Sequence, residues 1–208
     1  MKHFKILGYL PSEFINFFLD KVIEKKTDQL YQWIQFDDEL LKYFLKYFEN
    51  TELTIQRSKD KSYPIQKVFY SEPGHGFRIH KDGIQCKSAL NIALSCNSSD
   101  WVRWYDNEYI EHLTKTVEYN NLSGKINNAP KGLSRDTELY DYENIKYIEQ
   151  FSPQVGQVYT LDVDTFHSFK CNGPLPRVIL QTKFEHFPSF EYITDSLMNQ
   201  SFSNIIKE

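Results

Sequence analysis

Gly74-His75-Gly76-Phe77-Arg78-Ile79-His80-Lys81-Asp82-Gly83 is a short β-type run punctuated at both ends by glycine. Runs of the same kind lie on both sides of it. Leu53 and Ile55 alternate with polar partners, and Val68–Tyr70 precedes it. Ala89–Ser95, Trp101–Tyr105, Gln157–Asp162, Ser168–Cys171 and Arg177–Lys183 follow, separated by Gly, Pro, Asn or Ser. Short strands with frequent turn signals and no βαβ alternation predict a mainly β sandwich or jelly roll. Such a fold leaves an open mouth between its sheets, a common place for a metal or a small ligand.

Before residue 51 the period is different. Phe14, Phe17, Phe18 and Val22 recur at 3–4 spacing after Pro11 and Ser12, which predicts a helix capped by Ser12. Leu40, Leu41, Phe44, Leu45 and Phe48 repeat the pattern after Asp37 and Asp38. Residues 1–50 are therefore expected to form a helical cover. Residues 51–105 and 151–185 are expected to form the β core. The 106–150 stretch has lost the pattern and reads as an insertion or lid. A C-terminal helix is expected within 186–208, from about Asp195 to Lys207. At 208 residues all of this fits one domain with a sizeable core.

Aromatic residues make up 16% of the chain, which excludes a disordered protein. No apolar run reaches the ~18 residues that a membrane span needs. The first ten residues lack the apolar stretch of a signal peptide. Cys86, Cys96 and Cys171 are odd in number and form no CxxC pair, so free thiols and a cytoplasmic location are expected. The net charge of −4, with no basic stripe, counts against a nucleic-acid partner.

In a strand, residues i and i+2 face one side about 6.6 Å apart, so His80 and Asp82 can converge on one ion. By the same parity, Arg78 shares their face and marks a possible anionic contact. His75, at an odd offset of five, is expected on the opposite face. His167 lies just before the strand Ser168–Cys171, and Arg177 opens the last run ten residues later. Two histidines and a carboxylate form a facial triad, which holds one face of an octahedron and suits non-haem Fe(II). An HxD pair is cheap by chance, about 0.4 per chain of this composition. The weight lies in the combination. HxD ends a strand, His167 precedes one, and Arg177 begins an alternating run whose odd-numbered side chains point inward. A guanidinium placed there is a planar fork for a carboxylate. Asn91 alternates with Leu90 and Ile92 and points toward the same interior.

With these residues the chain resembles the Fe(II)- and 2-oxoglutarate-dependent oxygenases, built on a double-stranded β-helix. The resemblance covers roughly residues 63 to 185. Gly74-x-x-Phe77-x-x-His80-x-Asp82 is similar to the prolyl-hydroxylase branch. Gly156-Gln157-Val158-Tyr159, His167-Ser168-Phe169 and Pro176-Arg177-Val178 are similar to both that branch and the aspartyl/asparaginyl-hydroxylase-like branch. Ala89–Leu94 and Trp104-Tyr105 look like uncharacterised bacterial and phage members.

The resemblance implies Fe(II) on His80, Asp82 and His167. It implies 2-oxoglutarate as co-substrate, its distal carboxylate on Arg177, and O2 as oxidant. The product would be a hydroxylated small molecule or protein side chain. The chain departs from the pattern at Ser71 and Phe77, neither of which is the phenol that often helps hold the co-substrate. That leaves the second anchor open among Asn91, Tyr70 and Tyr159. The alternative function is a non-catalytic cupin-like ligand-binding protein. The arginine separates the two, because such a protein has no need of a buried guanidinium ten residues after its last ligand.

Overall fold

Alternation within the β runs builds two antiparallel sheets. A computed structural model describes residues 2–48, 67–82, 87–112, 145–184, 186 and 188–199. The strands are β1 (Phe4–Tyr9), β2 (Tyr31–Gln35), β3 (Lys67–Ser71), β4 (Gly76–His80), β5 (Ser88–Ser95), β6 (Trp101–Trp104), β7 (Glu149–Phe151), β8 (Gln157–Asp162), β9 (His167–Lys170) and β10 (Arg177–Thr182). The helices are α1 (Ser12–Lys25), α2 (Asp38–Leu45), α3 over 107–112, and α4 (Phe190–Asn199). The larger sheet runs β1-β8-β5-β10-β3-β2 and the smaller β4-β9-β6-β7.

Residue parity sorts the side chains of the larger sheet. Val68, Tyr70, Leu90, Ile92, Val158, Val178 and Leu180 face outward and join Phe14, Phe18, Val22, Leu40 and Phe44 in one core beneath the helices. Ala89, Ala93, Tyr159, Leu161 and Ile179 face inward and meet Val102, Trp104 and Phe151 of the smaller sheet. Both faces of the larger sheet are thus largely apolar, which explains why Ala89–Leu94 is apolar at every position but Asn91. Fully burying a Leu, Ile or Phe is worth about 1.5–3 kcal/mol, so the two layers hold each other closed. Ile79, Tyr105, Ile110 and Phe166 make a third cluster.

The expectation of helix throughout residues 1–50 is corrected by β1 and β2. In β1 the alternation is broken by a register shift between Ile6 and Gly8. The period-2 signal therefore does not survive in the sequence. In β2, Gln32 sits buried on the helix side, satisfied by Thr27: its Oε1 accepts from the Thr27 amide and hydroxyl, and its Nε2 donates to the Thr27 carbonyl. Its amide mimics an apolar residue only because those partners exist. At α1 the N-cap is Pro11, with no side-chain cap bond, and Ser12 is the first helical residue. At α2, Asp37 caps as the pattern suggests, accepting from the Leu40 amide at 2.9 Å. The C-terminal helix starts at Phe190, five residues before the expected point. Leu53, Ile55 and residues 113–144 of the expected insertion lie outside the described residues, as do Cys86 and residues 200–208. Cys96 and Cys171 are buried free thiols. No described helix is long and apolar enough to cross a membrane.

The β7–β8 turn is fixed by Gly156, at φ +86°, where an added Cβ would meet the Leu10 carbonyl oxygen at 3.3 Å. Its amide donates to Ala93 and its carbonyl accepts from Leu10, so the backbone cannot shift away cheaply. Gly156→Ala is expected to destabilise the fold by about 1–3 kcal/mol, read as a lower urea midpoint at unchanged slope.

Candidate metal centre

β4 and β9 pair so that His80 stands directly opposite His167. Their rings lie 4.4 Å apart between centroids. Asp82 follows just beyond β4, tied to the opposite loop by its amide, which donates to the Val163 carbonyl at 3.1 Å. Asp82 Oδ1 is 3.4 Å from His80 Nε2. Each of the three residues presents one ligand-type atom, and these atoms lie within 4.8 Å of one another. The structure therefore brings together the three residues singled out as metal ligands.

Local structure sets their chemistry. His167 Nδ1 is 2.9 Å from the Thr165 carbonyl oxygen, which can only accept, so Nδ1 carries the proton and Nε2 keeps its lone pair. Burial, helped by the neighbouring His80 ring, pushes the His167 pKa down to about 4, so the imidazole is neutral at physiological pH. Burial also opposes the charge on Asp82. The hydrogen bond from His80 and the nearby cations, Lys183 foremost, outweigh it and hold the carboxyl well below the usual range. A neutral imidazole and an ionised carboxylate are the forms a metal requires.

The three residues line a cavity of about 380 Å³. Arg177, Ile179, Gln181 and Lys183 enter it along β10, as the odd-numbered parity predicts. Arg177 is 4% exposed, its guanidinium lies 4.4 Å over the Phe169 ring, and its Nε has no partner. Ser71 faces Arg177 across the β3–β10 ladder, and its buried hydroxyl is likewise unpartnered. Asn91 lines the cavity with Oδ1 unpartnered. Tyr159, directly opposite Asn91 in the β5–β8 ladder, lies outside the cavity lining, and burial pushes its pKa up to about 12 against a hydrogen bond from Asn91. Among the residues that line the cavity, Arg177 Nε and Asn91 Oδ1 are buried polar atoms without partners. An oxyanion bearing several lone pairs would satisfy the guanidinium.

Several expectations change here. Tyr70 points to the helix side, where its hydroxyl donates to Glu72 at 2.7 Å, so it is no candidate anchor. Phe77 shares the cavity with His80 despite an odd offset, because a register shift between them flips the parity. The Arg78 side chain lies outside the described residues. His75 sits in the turn before β4, where strand parity does not apply, and stacks on Tyr31 at 5.4 Å.

Tyr31 and Lys183 are cavity residues that the sequence reading missed. Tyr31 occupies the same cross-strand row as Ser71 and Arg177. Burial raises its pKa to about 12, so it stays a hydroxyl donor. The alternation Tyr31-Gln32-Trp33-Ile34-Gln35 was its available signal. Lys183 continues the odd-numbered face of Arg177, and its Nζ lies 3.3 Å from Asp82 Oδ2. His3, outside the cavity lining, pairs with Asp162 at 2.9 Å and stacks on Trp104.

No family model and no curated protein matches the sequence. Solved structures do match in fold. HygX from Streptomyces hygroscopicus, with nickel and 2-oxoglutarate bound, aligns over 86% of this chain and 81% of its own at 10% identity and TM-score 0.54. The same protein with hygromycin B also bound aligns over the same shares at 11% identity and TM-score 0.51. The epimerase SnoN, in complex with Fe3+, alpha ketoglutarate and nogalamycin RO, aligns over 86% of this chain and 77% of its own at 11% identity and TM-score 0.50. Together with the two antiparallel sheets described above, these likenesses establish that the chain has the double-stranded β-helix fold.

Proposed function

We propose that this chain is a non-haem Fe(II)- and 2-oxoglutarate-dependent dioxygenase that hydroxylates a small molecule or a protein side chain. The observation that carries the proposal is the convergence of His80, Asp82 and His167 in one cavity whose far end holds the unpartnered Arg177 guanidinium. A ligand-binding protein of this shape gains nothing from a buried arginine that its own fold leaves unsatisfied. The bound 2-oxoglutarate of HygX, and the Fe3+ and alpha ketoglutarate of SnoN, lend support from proteins that share the fold.

Iron bound with 2-oxoglutarate supplies oxidative decarboxylation of the co-substrate and activation of O2. The chain supplies everything else. His80, Asp82 and His167 hold the metal from one side. Thr165 fixes the His167 ring in the tautomer that leaves Nε2 available. Arg177 takes the distal carboxylate of the co-substrate, and Ser71 and Tyr31 offer hydroxyls from the same row. Phe69, Phe77, Val102 and Phe169 exclude water from the cavity wall. Because SnoN is an epimerase, the outcome of the reaction is part of the proposal, and a 16-mass-unit gain on a product is its direct signature.

Purified protein given Fe(II), 2-oxoglutarate and O2 is expected to release succinate, and Asp82→Asn to release none. Equal release from the two proteins, or none from the wild type, rejects the proposal. Tyr31→Phe is expected to raise the 2-oxoglutarate KM by about 3- to 30-fold with metal affinity unchanged, as loss of one hydrogen bond of about 0.7–2 kcal/mol at a partly wet site implies. An unchanged KM removes Tyr31 from the anchor.

A further inference from the structure

The lining of the cavity is more positive than the protein around it. The chain carries a net charge of −4, yet the charged residues that line the cavity are three cations, Lys81, Arg177 and Lys183, and one carboxylate, Asp82. Lys81 has an outside partner, Glu111, at 3.8 Å. A divalent metal and a dicarboxylate would cancel each other and leave this excess in place.

A fourth cation stands beside it. Lys67 lies between Gln35 and Gln181 in the cross-strand row, on the sheet face that carries Phe69 into the cavity. Its Nζ rests 3.6 Å from the ring centroid of Trp33, which is 55% exposed. A π face orients an ammonium without neutralising it. Lys67 is half-buried, and its pKa is lowered first by burial and next by Lys183, against a weaker pull from Asp82. Lys183 pairs with Asp82 at 3.3 Å, and Lys67 stands beside it on the neighbouring strand, opposite Gln181. A metal on Asp82 would draw on that same charge, and the repulsion between the lysines would remain. An anionic oxygen group between Lys67 and Lys183 relieves it. The neighbouring wall is aromatic: Phe69, Phe77 and Phe169 line the cavity, the last two with nearly parallel rings whose centroids are 5.9 Å apart.

We propose that the substrate is a small acid with a ring-sized apolar body, its anionic oxygen group held by Lys67 and Lys183 and its ring against Phe69, Phe77 and Phe169. This rests on the oxygenase reading of the cavity and names the substrate class for it. The charge surplus disfavours a cationic substrate, because like charges brought together in a partly desolvated cavity repel strongly.

The test uses protein loaded with Ni(II) and saturating 2-oxoglutarate, which is inert to turnover. Four fluorescent probes are compared by anisotropy: naphthalene-2-carboxylate, 2-naphthyl phosphate, naphthalene-2-methanol and 2-(aminomethyl)naphthalene. Both anions are expected to bind about ten-fold or more tighter than the alcohol, to weaken with added salt, and to leave the amine the weakest. Lys67→Met is expected to erase the preference for anions, and Lys67→Arg to keep it, with nickel and 2-oxoglutarate affinities changed by less than about two-fold in both. Alcohol binding as tight as the acids, absence of anion binding, or an unchanged preference in Lys67→Met each overturns the inference. If the wild type takes up neither Ni(II) nor 2-oxoglutarate, the oxygenase reading fails instead. If it takes up both and shows no preference for anions, only the substrate class falls.

Discussion

Arg177→Ala is expected to weaken 2-oxoglutarate binding by roughly 30-fold to several-thousand-fold while leaving the metal affinity close to that of the wild type. The size follows from burial. Arg177 is 4% exposed and its Nε has no hydrogen-bond partner within the fold, so the guanidinium has been taken out of water with the Phe169 ring face against it and no carboxylate to pair with. A carboxylate that pairs with it recovers that cost, and truncating one side of such a buried pair costs about 2–5 kcal/mol. The selectivity follows from position. Arg177 opens β10 in the row of Tyr31 and Ser71, whereas His80 and His167 pair on the other sheet. Arg177→Lys is expected to recover only part of the affinity, because an ammonium cannot present the planar fork. Isothermal titration of 2-oxoglutarate into metal-loaded variants measures all three. A loss of metal binding in Arg177→Ala that matches the loss of 2-oxoglutarate would mean that the arginine supports the fold rather than the ligand.

The second large effect is expected at Asp82. Asp82→Asn keeps the shape and removes the charge, and Fe(II) affinity is expected to fall by about 100-fold or more, since this is the only anion in the donor set. His80→Ala and His167→Ala are expected to do the same, but His167→Ala also removes a buried ring from the cavity wall and strands the Thr165 carbonyl. Stability is affected as well. Asp82→Asn loses the attractions of His80 and Lys183 that outweigh the burial of the charge, so the apo-protein is expected to melt lower near neutral pH. His167→Ala is also expected to melt lower, by several degrees for about 1–2 kcal/mol. Metal content by elemental analysis, beside apo-protein melting curves, checks both. Full iron loading of Asp82→Asn would remove Asp82 from the ligand set.

Much of this site was legible in the chain because parity carries it. His80-x-Asp82 and the alternating run Arg177–Gln181 each declare which side chains share a face, and Asn91 between Leu90 and Ile92 declares the same. The failures have physical causes. β1 was hidden because apolar residues occupy both of its faces, Leu7 on one core and Phe4 and Ile6 on the other, and a bulge at Ile6–Gly8 cuts the alternation short. β2 was hidden by Gln32, a polar residue in an apolar position that only tertiary partners make tolerable. Losing β2 concealed Tyr31, the phenol that seemed missing at Phe77. The bulge in β4 likewise put Phe77 into the cavity against its parity. Bulges and satisfied buried amides are long-range facts, set by a partner strand or loop, so they leave no local period to read.

The cation pattern at the cavity was invisible for a related reason. Lys67, Lys81 and Lys183 are dispersed in sequence, and the overall charge is negative. Only the pairing of β3 with β10 brings the first and last together. Net charge therefore ranked the partner classes at the sequence level, and local charge refines that ranking inside the fold.

The most direct test of the metal and co-substrate assignment is an anaerobic titration of the purified protein with Fe(II) and then 2-oxoglutarate, followed by absorption spectroscopy. A weak visible charge-transfer band is expected only when both are present, saturating at one equivalent of each and absent in Asp82→Asn. No band and no bound iron in the wild type, or the same band in Asp82→Asn, would contradict it.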